Sequence, residues 1–213
     1  MATQAEIGNE VRAGDHFSFF GLPRKLNIDA AALEKDFYRL SRKLHPDLYV
    51  NRSPSEQEQA LEQSSRLNDA YRTLKDPISR TQYLLSLEGV QFEEQSKAAT
   101  DAARRSGAEK KQVVPPDLLE EAFELNMQLQ ELKMIDEKDP EVIAQLQTAK
   151  QNFEQRLEGL GSELKKYWDE WDGVVESGDT AARIKIRDRM VDLLNRRSYI
   201  RNLVRDVNAA LAE

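Results

Sequence analysis

Apolar residues recur through residues 15–88 with the spacing of two amphipathic helices. The first stripe follows Asp29, a good N-cap, and consists of Leu33, Phe37, Leu40 and Leu44. The second stripe follows a Ser-Pro-Ser-Glu capping box at residues 53–56 and consists of Ala60, Ser64, Leu67, Tyr71 and Leu74. Both stripes alternate steps of three and four residues, so we expect the two helices to pair antiparallel.

Short helical segments flank this pair. The first, at Asp15 to Phe20, carries three aromatic residues that we expect in the core, and the second follows Asp76-Pro77 and ends at Gly89. Two long helices joined by a tight turn, with a short helix at each end, predict one helical hairpin domain over residues 15–88.

Three further helices are predicted after Pro115-Pro116-Asp117. Asp139-Pro140 begins the second of them, which Gly159 and Gly161 are expected to interrupt or bend. The core stripe of the first is Leu118, Ala122, Leu125, Leu129 and Leu132, and that of the last is Ile186, Met190, Leu193, Ile200, Val204, Val207 and Leu211. The predicted fold is all-α: a tail at 1–14, the hairpin domain at 15–88, a linker at 89–114, and a three-helix bundle at 115–213.

A second apolar face is predicted on the first bundle helix. Leu119, Phe123 and Met127 step by four residues along a face rotated away from the core stripe. A helix of a small bundle rarely buries two faces within its own domain. This face is either a partner site or a packing surface for the first domain. Tyr199 lies off the predicted stripe of the last helix and could approach it.

Composition excludes several classes of function. The chain has 213 residues, a net charge of -7 and no cysteine, which leaves no disulfide, thiol nucleophile or cysteine-bound metal or cluster. The negative charge argues against nucleic acid as the main ligand. We find neither an apolar signal segment in residues 1–14 nor a run long enough to span a membrane, so the cytoplasm is the expected location.

The motif with the most information is His45-Pro46-Asp47, at the end of the first long helix. Pro46 disfavours a helical conformation at His45 and cannot continue the helix, so a turn is expected there. A metal site lacks further ligands, and a catalytic His-Asp pair lacks a nucleophile or a phosphate loop, so neither a metal nor a cofactor is expected. The interpretation as a purely structural polar turn also stays open.

The same helix carries a basic face of Lys35, Arg39, Arg42 and Lys43, which fits either a solvated surface or a docking site for an acidic partner.

Two segments resemble a J-domain. Phe37 to Asp47 is similar to its second helix and His-Pro-Asp turn, and Leu67 to Pro77, with Arg80 and Tyr83-Leu84-Leu85, is similar to its third and fourth helices. Because this domain is N-terminal and a helical domain follows, the pattern is most similar to the HscB family of co-chaperones in iron-sulfur cluster assembly.

The resemblance implies two partners and no enzymatic activity of the chain's own. A chaperone of the HscA or DnaK type would bind His45, Pro46, Asp47, Arg39, Arg42 and Lys43, and its ATPase would be stimulated. A cluster scaffold of the IscU type would bind Leu119, Phe123, Met127 and Tyr199. The chain departs from the family pattern at Glu120, where an apolar residue is expected, and at Met127, where an acid is expected. The alternatives are a general J-domain protein that recruits unfolded clients and a hydrolase that uses His45 and Asp47.

Overall fold

The computed structural model describes residues 14–92, 115–134 and 139–212. These residues form seven α-helices and two short 3-10 helices, and no strand occurs among them. The prediction of an all-α chain is confirmed. The predicted tail before Gly14 and the predicted linker beyond Phe92 lie outside the described residues.

The hairpin domain contains four α-helices, which start where their capping residues predict. They are α1 (His16–Phe19), α2 (Ala30–Leu44), α3 (Pro54–Lys75) and α4 (Pro77–Leu87), with a 3-10 helix at Pro46–Tyr49 between α2 and α3. The side chain of Asp29 accepts from the amides of Ala31 and Ala32 in α2, and that of Asp76 accepts from the amide of Ser79 in α4. Ser53 and Glu56 form the predicted capping box at the start of α3.

Helices α2 and α3 pack through the two predicted apolar stripes. Leu40, Leu44 and Leu67 are buried together with Phe19 of α1. Phe37 and Tyr71 stack with ring centroids 4.1 Å apart, which adds a specific contact to the burial of apolar area. This core holds the end of α2, and therefore the His-Pro-Asp turn, against α3.

The structure divides into two compact units, and the first extends beyond the hairpin domain. It joins the described part of Met1–Phe92 to Trp168–Arg183. Trp168 and Trp171 are buried in this unit, and the indole nitrogen of Trp168 donates to the hydroxyl of Thr81 at 3.0 Å. The guanidinium of Arg80 lies 5.0 Å from the Trp168 ring centroid, within the range of a cation–π contact.

The same segment also holds the loop before α2. The carboxylate of Asp172 accepts from the backbone amides of Leu26 and Asn27, at 2.8 and 2.9 Å. The side chain of Asn27 donates to Asp169 at 2.9 Å. This arrangement differs from the predicted division, which assigned all of residues 115–213 to the bundle.

The second unit comprises the described parts of Glu93–Tyr167 and Ile184–Glu213. Its first helix, α5 (Leu119–Met134), follows a 3-10 turn at Pro116–Leu118. The remaining helices are α6 (Pro140–Ser177) and α7 (Thr180–Ala212), each of which also contributes residues to the first unit. The five residues of the predicted stripe, one at the end of the 3-10 turn and four in α5, are buried in one core with residues of α6 and α7.

The expected break in α6 is absent. The helix runs unbroken from Pro140 to Ser177 through Gly159 and Gly161. Each glycine costs about 1 kcal/mol relative to alanine in a helix. Burial of Phe153 before the glycines and of Leu164 after them, which lie on the same side of the helix, offsets that cost.

Candidate docking surfaces

The His-Pro-Asp turn is exposed at the junction of α2 and the 3-10 helix. His45 has extended backbone angles, φ -62° and ψ 126°, as expected for the residue before a proline. The side chain of His45 is 56% exposed and that of Asp47 is 83% exposed. The turn therefore presents its imidazole and carboxylate to solvent.

A local hydrogen bond orients the imidazole. The backbone amide of Asp47 donates to Nδ1 of His45 at 3.3 Å, and a carboxylate oxygen of Asp47 lies 3.5 Å from the same nitrogen. Because Nδ1 accepts this hydrogen bond, the proton of the neutral ring is assigned to Nε2. In this tautomer the Nε2–H group of the exposed His45 side chain can donate to another molecule.

The predicted basic face of α2 is also on the surface. Lys35, Arg39, Arg42 and Lys43 are all exposed, while Leu33, Leu40 and Leu44 on the opposite face are buried. Arg39 makes a salt bridge with Asp36, one helical turn before it, at 3.1 Å. An exposed pair of this kind contributes little to stability, about 0–1 kcal/mol, so the guanidinium can exchange partners at low cost.

The second apolar face of α5 is exposed as well. Leu119, Phe123 and Met127 are 59%, 66% and 57% exposed. This favours the partner-site interpretation over packing within the chain, the alternative that the spacing left open. Three large apolar side chains on one helix face form the kind of exposed patch that marks an interaction site.

Two bidentate ion pairs hold the start of α5 within the second unit. Arg156 of α6 donates to both carboxylate oxygens of Glu121, at 2.7 and 2.8 Å. Arg196 of α7 donates to both oxygens of Asp117, at 2.8 and 3.1 Å. Paired hydrogen bonds fix orientation better than a single contact does. The turn of α5 that carries Leu119 is therefore braced by both neighbouring helices.

Tyr199, the fourth residue predicted for the scaffold surface, is buried, unlike the three residues of the exposed α5 face. It is only 8% exposed and belongs to the core of the second unit, although the apolar stripe of α7 did not include it. Because α7 packs against two helices, it buries a face wider than one stripe, and Leu194, Leu203 and Ala210 are buried as well. Burial raises the pKa of the Tyr199 phenol. We therefore leave Tyr199 out of the exposed α5 surface.

The described residues contain no candidate metal site. Among residues 14–92, 115–134 and 139–212, no group of three or more His, Cys, Asp or Glu side chains could hold a metal ion. None of the helices in the described ranges combines the length and the apolar character that crossing a membrane requires. The predicted cytoplasmic location stays a prediction.

Sequence reasoning missed two sets of residues. Trp168 contacts Thr81, and Asp172 contacts Leu26. Each pair is more than 80 residues apart in sequence, and hydrophobic periodicity carries no signal for contacts of this range. The exposed Leu48, Val50 and Leu61 were also missed, although two of them directly follow the His-Pro-Asp turn. The available signal was the occurrence of large apolar residues in a loop and on the polar side of α3.

Comparison with known proteins agrees with this arrangement. The family model of the DnaJ domain matches residues 15–83. A co-chaperone protein HscB homolog of Bordetella petrii is 45% identical over 91 residues, which are 43% of this chain and 54% of that protein. The chain thus spans about half the length of the curated relatives it matches.

Two solved structures extend the likeness to the whole fold. The chaperone HscB from Vibrio cholerae has a TM-score of 0.56 and 25% identity, and the match covers 93% of this chain and 98% of that one. The human co-chaperone protein HscB has a TM-score of 0.55 and 22% identity, with 92% and 81% covered, and supports the fold alone. Residues 15–83 thus match the DnaJ domain in sequence, and the chain resembles the HscB structures in fold over most of its length.

Proposed function

We propose that this protein is a co-chaperone of iron-sulfur cluster assembly that brings a scaffold protein of the IscU type to a chaperone of the HscA or DnaK type. The single observation that carries the proposal is the exposed His45-Pro46-Asp47 turn at the end of a basic helix in a DnaJ domain. The exposed α5 face of Leu119, Phe123 and Met127 supports a second, separate binding function.

The chaperone side of the mechanism is allosteric. ATP hydrolysis takes place in the chaperone, and this chain contributes no catalytic group to it. Nε2–H of His45 and the carboxylate of Asp47 offer one donor and one acceptor on a turn that is already ordered. Binding that favours the hydrolysing conformation of the chaperone by 1–3 kcal/mol would raise its population about 5- to 150-fold. Arg39, Arg42 and Lys43 orient the encounter with an acidic surface.

The scaffold side relies on apolar contact. The α5 face is small and held in place by the rigid packing of α5, which suits one folded partner better than a range of unfolded segments. Since scaffold and chaperone would bind different surfaces of one chain, each raises the local concentration of the other. The general J-domain function, which would need a broad and adaptable apolar surface, has less support among the described residues.

Replacement of His45 by Gln tests the proposal. The ATPase of the DnaK-type chaperone from the same organism is measured with wild-type protein, with His45→Gln and with Asn51→Ala, an exposed polar position in the same loop. We expect stimulation to fall to the basal rate only for His45→Gln, with unchanged helicity and scaffold affinity. Equal stimulation by His45→Gln and the wild type would contradict the proposed trigger, and loss of helicity would assign His45 a structural role.

A further inference from the structure

Three large apolar side chains are exposed beyond the His-Pro-Asp turn. Leu48, Val50 and Leu61 are 63%, 65% and 62% exposed, and we call them the loop patch. We propose that the loop patch is the apolar part of the surface that docks the DnaK-type chaperone. This inference rests on the proposed function and assigns new contact residues to the same partner.

The loop that carries Leu48 and Val50 is ordered by its own hydrogen bonds. The amide of Leu48 donates to the carbonyl of His45 at 3.0 Å, and the amide of Arg52 donates to that of Tyr49 at 2.9 Å. The side-chain amide of Gln57 donates to the carbonyls of Val50 and Arg52, at 3.1 and 2.9 Å. The exposed side chains are thus presented by a backbone that needs little further ordering on binding.

Leu61 extends this surface onto α3. It lies one helical turn after Gln57, and residues four apart share a face of a helix. Because Gln57 binds the loop, the face of α3 that meets the loop continues toward Leu61. The core residues of α3, such as Ala60 and Leu67, point elsewhere and are buried. The loop patch therefore combines two loop positions with one position on the adjoining helix face.

Continuity with the turn identifies the occupant. Leu48 directly follows Asp47 in the 3-10 helix and both side chains are exposed, so a partner that contacts the carboxylate of Asp47 lies within reach of Leu48. Interfaces commonly pair an apolar centre with a charged rim, in which the charges set the on-rate and the apolar contacts supply affinity. The basic face of α2 can supply the charges and the loop patch the apolar contacts.

Charge disfavours a second copy of this chain as the occupant. Arg39, Arg42 and Lys43 precede the turn on the exposed face of α2. A symmetric contact through the turn and the loop patch would bring two such basic faces together, and juxtaposed like charges suppress an interface. A partner with an acidic surface and an apolar strip beside it fits instead, and this is the surface that the inference requires of the chaperone.

Binding to the ATP-bound DnaK-type chaperone of the same organism tests the inference, with Leu48→Ser, Val50→Ser and Leu61→Ser combined in one variant. We expect roughly tenfold weaker affinity, with the same loss at low and high salt because no charge changes. Ile184→Ser is the matched control, since Ile184 is 46% exposed on α7 and far from the turn in sequence. The control should bind like the wild type. If the triple variant fails to fold, Leu48→Ser alone replaces it in the binding measurement. We expect this single variant to show a smaller loss of affinity.

The outcomes separate this inference from the proposed function. Stimulation and binding by the wild type, together with unchanged affinity of the triple variant, would overturn the loop patch and leave the proposed function intact. Failure of the wild type itself to bind or stimulate the chaperone would overturn both. A wild-type dimer in sedimentation that the triple variant abolishes, without any change in chaperone affinity, would assign the patch to self-association and overturn the inference.

Discussion

The His-Pro-Asp turn and the exposed face of α5 are both on the surface, but for different physical reasons. The turn is exposed because Pro46 ends α2 and the local backbone leaves His45 and Asp47 no core to enter. The α5 face is exposed because the bundle buries the other side of the helix. The first surface depends on local covalent geometry and the second on long-range packing.

This difference teaches that apolar character alone does not separate folding residues from binding residues. Phe123 and Trp168 are both large aromatic residues on helices, yet Phe123 is exposed and Trp168 is buried with a hydrogen-bonded indole. The contrast between them can be tested by mutation.

The largest effect is expected from Trp168→Ala. Loss of a buried tryptophan, with its hydrogen bond to Thr81, should reduce the free energy of unfolding by about 3–5 kcal/mol. Phe123→Ala is the matched control and should change it by no more than about 0.5 kcal/mol, because the ring is exposed. Urea denaturation followed by circular dichroism measures both. Similar losses for the two variants would show that Phe123 is part of a core.

The elements of this fold could be predicted from the sequence where their causes are local. Asp29, Asp76 and the Ser53–Glu56 capping box mark the starts of their helices correctly, because each cap acts within three residues. The phase of α5 also separates buried Leu125 from exposed Phe123 correctly. A single helix with one neighbouring core is the simplest case for periodicity.

The predictions fail where distant packing decides. Tyr199 is buried because α7 has two neighbours, and the glycines of α6 are tolerated because buried residues lie before and after them. The hydrogen bond between Asp172 and the amide of Asn27 connects residues that are 145 positions apart in sequence. No pattern within one helix reports such contacts, so the extent of the first unit could not be predicted.

A smaller effect is expected from the double replacement Leu119→Ala and Phe123→Ala. Binding of the IscU-type scaffold should weaken by about 2–3 kcal/mol, or roughly 30-fold to 150-fold, since central apolar side chains dominate interface energies. The melting temperature should change little. Calorimetric titration measures the affinity, with Leu61→Ala as an exposed leucine control in the other unit. Unchanged scaffold affinity would remove the α5 face from the mechanism.

Charge reversal of Arg39 and Arg42 to Glu should have an effect of about 1 kcal/mol on the chaperone encounter, or roughly fivefold slower association at low salt. The effect should shrink at high salt, because exposed charges are screened. Lys165→Glu with Lys166→Glu gives the same change in net charge on exposed positions of the second unit. Stopped-flow association compares the two variants. Equal slowing by both would show that net charge, and not the basic face of α2, controls the rate.

The smallest effect concerns the second histidine of the DnaJ domain, which contrasts with the exposed His45. The His16 ring stacks on Tyr83 at 4.1 Å, and burial, aided by Arg66, lowers its pKa from 6.5 against the opposing effect of Asp69 and Asp15. The folded state thus favours the neutral ring. The contribution of the neutral His16 ring to stability is complete above the unfolded-state pKa of about 6.5, and it is lost as the pH falls through the lower folded-state pKa. His16→Phe keeps a ring on Tyr83 but removes this titration, so urea denaturation between about pH 7.5 and pH 5 should show a shallower loss of stability in the variant than in the wild type. Parallel losses in the two proteins would show that His16 is protonated equally in the folded and unfolded states, and that its burial does not affect its charge.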